Sequence, residues 1–349
     1  MAIVNPSTAV IAKARAKYGK RLKNKDFAAM SKASSVGEIV QYLKSYTYYR
    51  EFLNKVSGND VHRGNVEQIL RKELFNHFLS LCRYNKNNSP VTAYILRQTE
   101  INEIMKYLTL LSIGRPEEYL FAMPLYFNEH TEIELEKFSK SRTYSDFLRT
   151  LKNTEYRSLL KDYAPAEDDR IDLAAIEDCL QVYSYRELYA SIHKIKDKKE
   201  KAILKELFDT VVDYNTFSRI IRLKKYYHMD NAAIREHLIP YGTLTSRRLD
   251  KILAKENYDD ILSALLQTNI GKKIKNKNFD FEGSISAQGR FDICRHHLYF
   301  STSPEAVLLS YYLLTENELR NVIIVIEGVR YSLPQSSIMD MLILPQQTS

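Results

Sequence analysis

The chain has 349 residues, 44% of them hydrophobic and 27% charged, with a formal net charge of +8. Its 10 glycines and 9 prolines fall well short of the roughly 12% that an average chain carries. That scarcity excludes the turn-rich all-β sandwiches and barrels, and collagen-like or linker-dominated chains. The apolar content argues against disorder, and the length allows a large core. A modest positive excess on so charged a surface suits several anionic partners and selects none of them.

From the N-terminus, Met1 to Ala12 is apolar-leaning but too short to span a membrane, and Lys13, Arg15 and Lys17 follow without the order of a signal peptide. The segment from Lys13 to Arg21 is basic with Tyr18 inside it. Then a repeat begins. Phe27–Leu53, Leu135–Lys161 and Leu249–Lys275 align without gaps at offsets of 108 and 114 residues. Each contains a helix-start signal: Ser35 with Glu38, Thr143 with Asp146, and Asn257 with Asp260. A short polar side chain there accepts from an orphan backbone N–H, and a carboxylate three residues later faces the positive helix end. Apolar residues follow at i, i+1 and i+4: Ile39, Val40, Leu43; Phe147, Leu148, Leu151; Ile261, Leu262, Leu265. That spacing predicts one buried stripe per helix. Thr47, Thr154 and Thr268 lie near the helix ends, with Tyr49 and Tyr156 beyond the first two and no tyrosine beyond the third.

Further amphipathic stretches run over Val66–Tyr84 and Ile171–Ile192. Glu100-Ile-Asn102 and Asp213-Tyr-Asn215 are expected to open helices, and Asn321 precedes Val322–Ile326. That last run is β-branched throughout and would pass for a strand. Its equivalence to the other two segments, and the flanking Glu318, Arg320, Glu327 and Arg330, favour a buried helix. Pro124, Pro240 and Pro345 close the repeats. The expectation is an all-α chain of three tandem helical units, 1–125, 126–240 and 241–349. Short charged linkers are expected at Asn85–Pro90, Ala164–Arg170 and Lys272–Gly283.

Catalytic signals are lacking. The eight histidines form no HExxH or Cys/His cluster, and no phosphate-binding glycine loop or Gly-x-Ser-x-Gly elbow occurs. Cys82, Cys179 and Cys294 are odd in number and far apart, which suits small core residues in a reducing compartment. The 25 tyrosines suit half-buried seams between helices, notably Tyr46, Tyr48 and Tyr49, and Tyr183, Tyr185 and Tyr189. Basic clusters at Lys13–Arg21 and Lys272–Lys277 permit a second reading, a cytosolic helical scaffold that binds nucleic acid. No helix-turn-helix, zinc-finger or RNA-binding signature supports it. A third reading, an enzyme with a dispersed His/Glu site, would need bound metal.

Three stretches carry a family resemblance. Thr8–Ala16 with Leu22, Glu38-Ile-Val40 and Leu43 with Thr47-Tyr-Tyr49, and Glu318-Leu-Arg-Asn-Val322 with Glu327 resemble the C-type subunit of prokaryotic A/V-type ATPases, whose eukaryotic counterpart is the d-type subunit. The likeness spans nearly the whole chain. It implies a non-catalytic, three-lobed helical funnel with pseudo-threefold symmetry, peripheral on the cytoplasmic side of the membrane. One end would sit on the ring of membrane rotor proteolipids, and the opening would receive the shaft made by the D- and F-type subunits. The chain would thus couple ATP hydrolysis to Na⁺ or H⁺ movement, the choice of ion residing in the ring. The resemblance implies partner contacts at Glu318, Arg320, Asn321, Glu327 and Arg330, with Arg15 next. It implies no cofactor, no metal and no nucleic acid.

Overall fold

The computed structural model describes residues 6–54, 56, 63–85, 89–166, 170–244, 246–273 and 282–345. Residues 86–88, 167–169 and 274–281 of the expected linkers lie outside these, as do Met1 to Asn5 and the basic Lys275 and Lys277. All regular structure among the described residues is helical.

The three expected repeat helices form over Val36–Tyr46, Tyr144–Thr150 and Tyr258–Leu266; they are called here the first, second and third cap helices. Ser35 Oγ accepts from the Glu38 N–H at 3.3 Å, and Thr143 Oγ1 from the Asp146 N–H at 3.1 Å. Asn257 makes no such bond, and Asp259 and Asp260 in the first turn are left to offset the helix dipole. The stripe recurs at i and i+4: Ile39 with Leu43, Phe147 with Leu151 and Ile261 with Leu265 are all buried. The i+1 position is buried only as Val40, with Leu148 and Leu262 half-buried.

Three long helices close the repeats, over Pro90–Ser112, Lys198–Lys225 and Pro304–Arg330. The first two begin well before the segments expected to open them. Ser89 Oγ accepts from the Thr92 N–H at 3.0 Å and Pro90 sits in the first turn, so Glu100 falls mid-helix, as does Asp213. Val322–Ile326 is helical in the third closing helix. Burial of Val322, Val325 and Ile326 outweighs their weak helix propensity.

Each closing helix stops with a residue of positive φ just beyond it: Gly114 at 75°, His228 at 50° and Ser332 at 53°. The first and third stops are Schellman motifs. Arg115 N–H reaches Leu110 O at 2.8 Å and Leu333 N–H reaches Gly328 O at 2.9 Å, with inner bonds from Gly114 to Leu111 and from Ser332 to Val329.

Two compact units cut across the order of the repeats. One holds residues 1–87, 202–227 and 242–349; the other holds 88–201 and 228–241. Within the first, Leu22, Phe27, Met30 and Leu43 from the chain's beginning share a core with Val322, Val325, Ile326 and Ile338 from its end. The third closing helix also packs along Pro6–Gly19, Arg63–Cys82 and Glu282–Phe300. In the second unit, the first closing helix packs along helix Leu173–His193. Its Tyr107 ring stacks on Phe147 of the second cap helix, 5.3 Å between centroids.

The helix stops generate a paired prediction. A side chain at positive φ is strained and glycine is not. Gly114→Ala should therefore destabilise the protein and Ser332→Gly stabilise it, each by about 1 kcal/mol in denaturant titrations.

Candidate partner-binding surface

Every closing helix carries one carboxylate that accepts hydrogen bonds from the start of another repeat. Glu318 on the third is buried. Its Oε1 accepts from the hydroxyls of Tyr48 and Tyr49, both at 2.8 Å, and its Oε2 from the Leu22 N–H at 2.9 Å. Glu100 on the first is half-buried and accepts from Thr131 Oγ1 and the Tyr156 hydroxyl, both at 2.6 Å. Asp213 on the second is fully buried. It accepts from the backbone N–H groups of Thr243 at 2.8 Å and Leu244 at 3.3 Å, and from the Thr243 hydroxyl. The third repeat lacks the tyrosine, so backbone donors replace it. Gly242 makes their approach possible: φ is 99° there, and a Cβ would fall inside contact distance of Asp213 Oδ1.

Burial pushes all three carboxyls above their ordinary range. The donated bonds oppose that rise and recover only part of it. The tyrosines respond in kind: burial and the facing Glu318 hold the Tyr48 and Tyr49 hydroxyls protonated. These contacts are structural, because they fix which segment lies on which helix.

The six residues expected to meet a partner fall into two groups. Three are occupied by the chain itself. Glu318 holds Leu22, Tyr48 and Tyr49. Asn321 is buried and grips the C-terminal segment, Nδ2 donating to Ile343 O at 2.8 Å while Oδ1 accepts from the Ile343 N–H at 3.1 Å. Arg15 donates to Leu298 O at 2.7 Å and Ser301 O at 2.9 Å, so it caps the end of helix Glu282–Phe300. The other three reach the surface. Glu327 bridges Arg63 and Arg330, each at 2.7 Å, and the exposed Arg330 also lies over the Tyr331 ring. Arg320 is exposed and borders a small cleft with Arg290, Phe291 and Glu316.

One surface feature escapes sequence reading. The residue just before each positive-φ stop is large and exposed: Ile113 at 60%, Tyr227 at 66% and Tyr331 at 71%. Leu120, Phe121 and Leu125 extend the first of these exposed ends. Single exposed apolar residues are ordinary. Three at matching places just before the helix stops form a regularity, because nothing in a helix stop requires a large side chain there. Only knowledge of where each helix ends reveals them. Among the described residues, no group of three His, Cys, Asp or Glu could hold a metal ion. No helix there is long and apolar enough to cross a membrane.

The Glu318 junction has a pH signature. A carboxyl raised by folding holds its proton more tightly in the folded state. Its stabilising contribution is full below the ordinary value of 4.5 and is lost as pH rises through the folded value. Glu318→Gln stays neutral and can still accept from Leu22 while donating to the tyrosine oxygens. Its stability relative to wild type should rise as pH increases above 4.5. Glu318→Ala leaves three donors unpaired and should cost about 2–4 kcal/mol near pH 7. Urea titrations across pH measure both.

The family model described as ATP synthase (C/AC39) subunit matches residues 10–341. The C-type subunit of the A-type ATP synthase of Methanosphaera stadtmanae is 23% identical over 352 aligned positions, covering 97% of this chain and 88% of that protein. Its counterpart in Methanosarcina mazei is 25% identical over 322, covering 88% and 85%. The one from Pyrococcus horikoshii is 31% identical over a shorter stretch of 192, covering 52% and 50%. With a family match over nearly its whole length and an all-helical fold, the chain belongs to the ATP synthase (C/AC39) subunit family.

Proposed function

We propose that this chain is a non-catalytic adaptor in a rotary A/V-type ATP synthase. It joins a shaft of D- and F-type subunits to the ring of membrane proteolipids, and it lies at the cytoplasmic face without inserting.

The observation that carries this reading is the Glu318 junction. It ties the beginning of the chain to the closing helix at its end. A torque-bearing part must resist slippage, which requires its ends to be locked together. Contacts spread over long, stiff helices serve that need better than one strong site. The exposed Ile113, Tyr227 and Tyr331 supply apolar anchors, the kind of residue that dominates protein interfaces. Arg320, Glu327 and Arg330 supply polar contacts that set register, each surface pair contributing about 0–1 kcal/mol. Glu318, Asn321 and Arg15 act indirectly by holding that surface in place. Family membership supports the complex to which the chain is assigned.

The test is retention. The full chain, tagged and expressed in its own host, should bring down shaft and ring subunits from detergent-solubilised membranes. The triple variant Ile113→Ser, Tyr227→Ser, Tyr331→Ser should lose at least ten-fold of that retention with its thermal midpoint unchanged. Arg320→Glu with Arg330→Glu should lower ion transport per ATP hydrolysed. A chain that retains neither shaft nor ring at physiological salt rejects the adaptor reading.

A further inference from the structure

An open cleft of about 480 Å³ lies between the second cap helix and the short helix Tyr156–Leu160. Arg149, Lys152, Arg157 and Lys161 line it, together with Leu148 and three hydroxyl residues, and no carboxylate does. Arg149 bonds Asp146 at 2.9 Å. Glu134 pairs with Lys137 and reaches Lys152 only through its field. Four cations thus share one concave surface with one directly bonded carboxylate.

The repeats provide an internal control on whether the fold demands this charge. The same corner occurs in all three, aligned on the buried Leu43, Leu151 and Leu265 and, allowing the one extra residue before Thr47 in the first repeat, on the threonines that follow. The first repeat places Gln41, Lys44, Arg50 and Asn54 at the four positions, and its Lys44 is bonded to Val56 O at 2.9 Å. The third places Ser263, Leu266 and Gly271 at the first three. The corner therefore forms without four cations, and in the second repeat they serve something outside the packing. Four exposed like charges around one concave surface raise the local concentration of anions there.

The donor set indicates the ligand. Guanidinium forks match phosphate oxygens two at a time, and lysines add point charge. A condensed phosphate brings several negative charges into a volume of this size, whereas one carboxylate brings a single charge. We propose that the Arg149–Lys152–Arg157–Lys161 cleft binds the phosphate group of a polyanion. A soluble di- or triphosphate and a phospholipid headgroup share that chemistry, and the test separates them. The proposal does not depend on the adaptor reading.

The intact chain is titrated calorimetrically with inorganic pyrophosphate, and separately sedimented with vesicles of phosphatidylglycerol or of phosphatidylcholine. Wild type should bind pyrophosphate, or the anionic vesicles in preference to the neutral ones, with affinity falling as salt rises. The variant Arg157→Gln with Lys161→Gln should weaken that binding at least ten-fold at unchanged thermal midpoint. Arg50→Gln, at the matching corner of the first repeat, should leave it unchanged. Pyrophosphate binding alone assigns a soluble phosphate, and vesicle binding assigns a headgroup. The proposal is overturned if neither binds, or if the double variant binds as wild type does. It is equally overturned if poly-glutamate alone is retained, which assigns an acidic protein segment.

Discussion

A carboxylate withdrawn from water persists inside a protein only where other donors replace the lost hydration. Glu318 meets that condition with three donors, all from the first 49 residues of the chain. The rest of the first unit follows from this pairing. Leu22 is held on the third closing helix, and Phe27, Met30 and Leu43 then share a core with Val322, Val325 and Ile326. Asn321, one turn further on, secures the C-terminal segment by its two bonds to Ile343. Both ends of the chain are thereby fixed to one helix. The hydrogen bonds are directional, so they set register where apolar packing alone would permit sliding.

The other two carboxylates meet the same requirement with different donors. Glu100 uses a threonine and a tyrosine, and Asp213 uses two backbone N–H groups presented after Gly242. Position is kept while chemistry varies, as expected where the constraint is satisfaction of a buried charge and not one particular partner. This also explains the missing third tyrosine. With Gly242 bringing the backbone close, no aromatic hydroxyl is needed there.

Much of the fold was legible in the sequence, because its signals are local. Ser35 and Thr143 cap as their spacing predicts, and the i, i+4 stripes are buried in all three copies. Val322–Ile326 is helical, as its repeat equivalence required. The less legible features depend on tertiary placement. Glu100-Ile-Asn102 reads as a helix opening in the sequence, yet Ser89 starts that helix well upstream. Nothing in the sequence says that a closing helix meets a different repeat, since that is a choice among equally apolar faces. The exposure of Ile113, Tyr227 and Tyr331 becomes visible only once the helix ends are known. Of the six residues expected at a partner surface, the pattern could not separate those spent on internal bonds from those left at the surface.

The most direct test of the central claim is a double-mutant cycle between Tyr49→Phe and Glu318→Ala, read from unfolding free energies in urea. If the Glu318 carboxylate fixes the start of the chain through the tyrosine hydroxyl, the two substitutions will be non-additive by about 1–3 kcal/mol. Additivity within about 0.5 kcal/mol would place no energetic link between them and contradict the account.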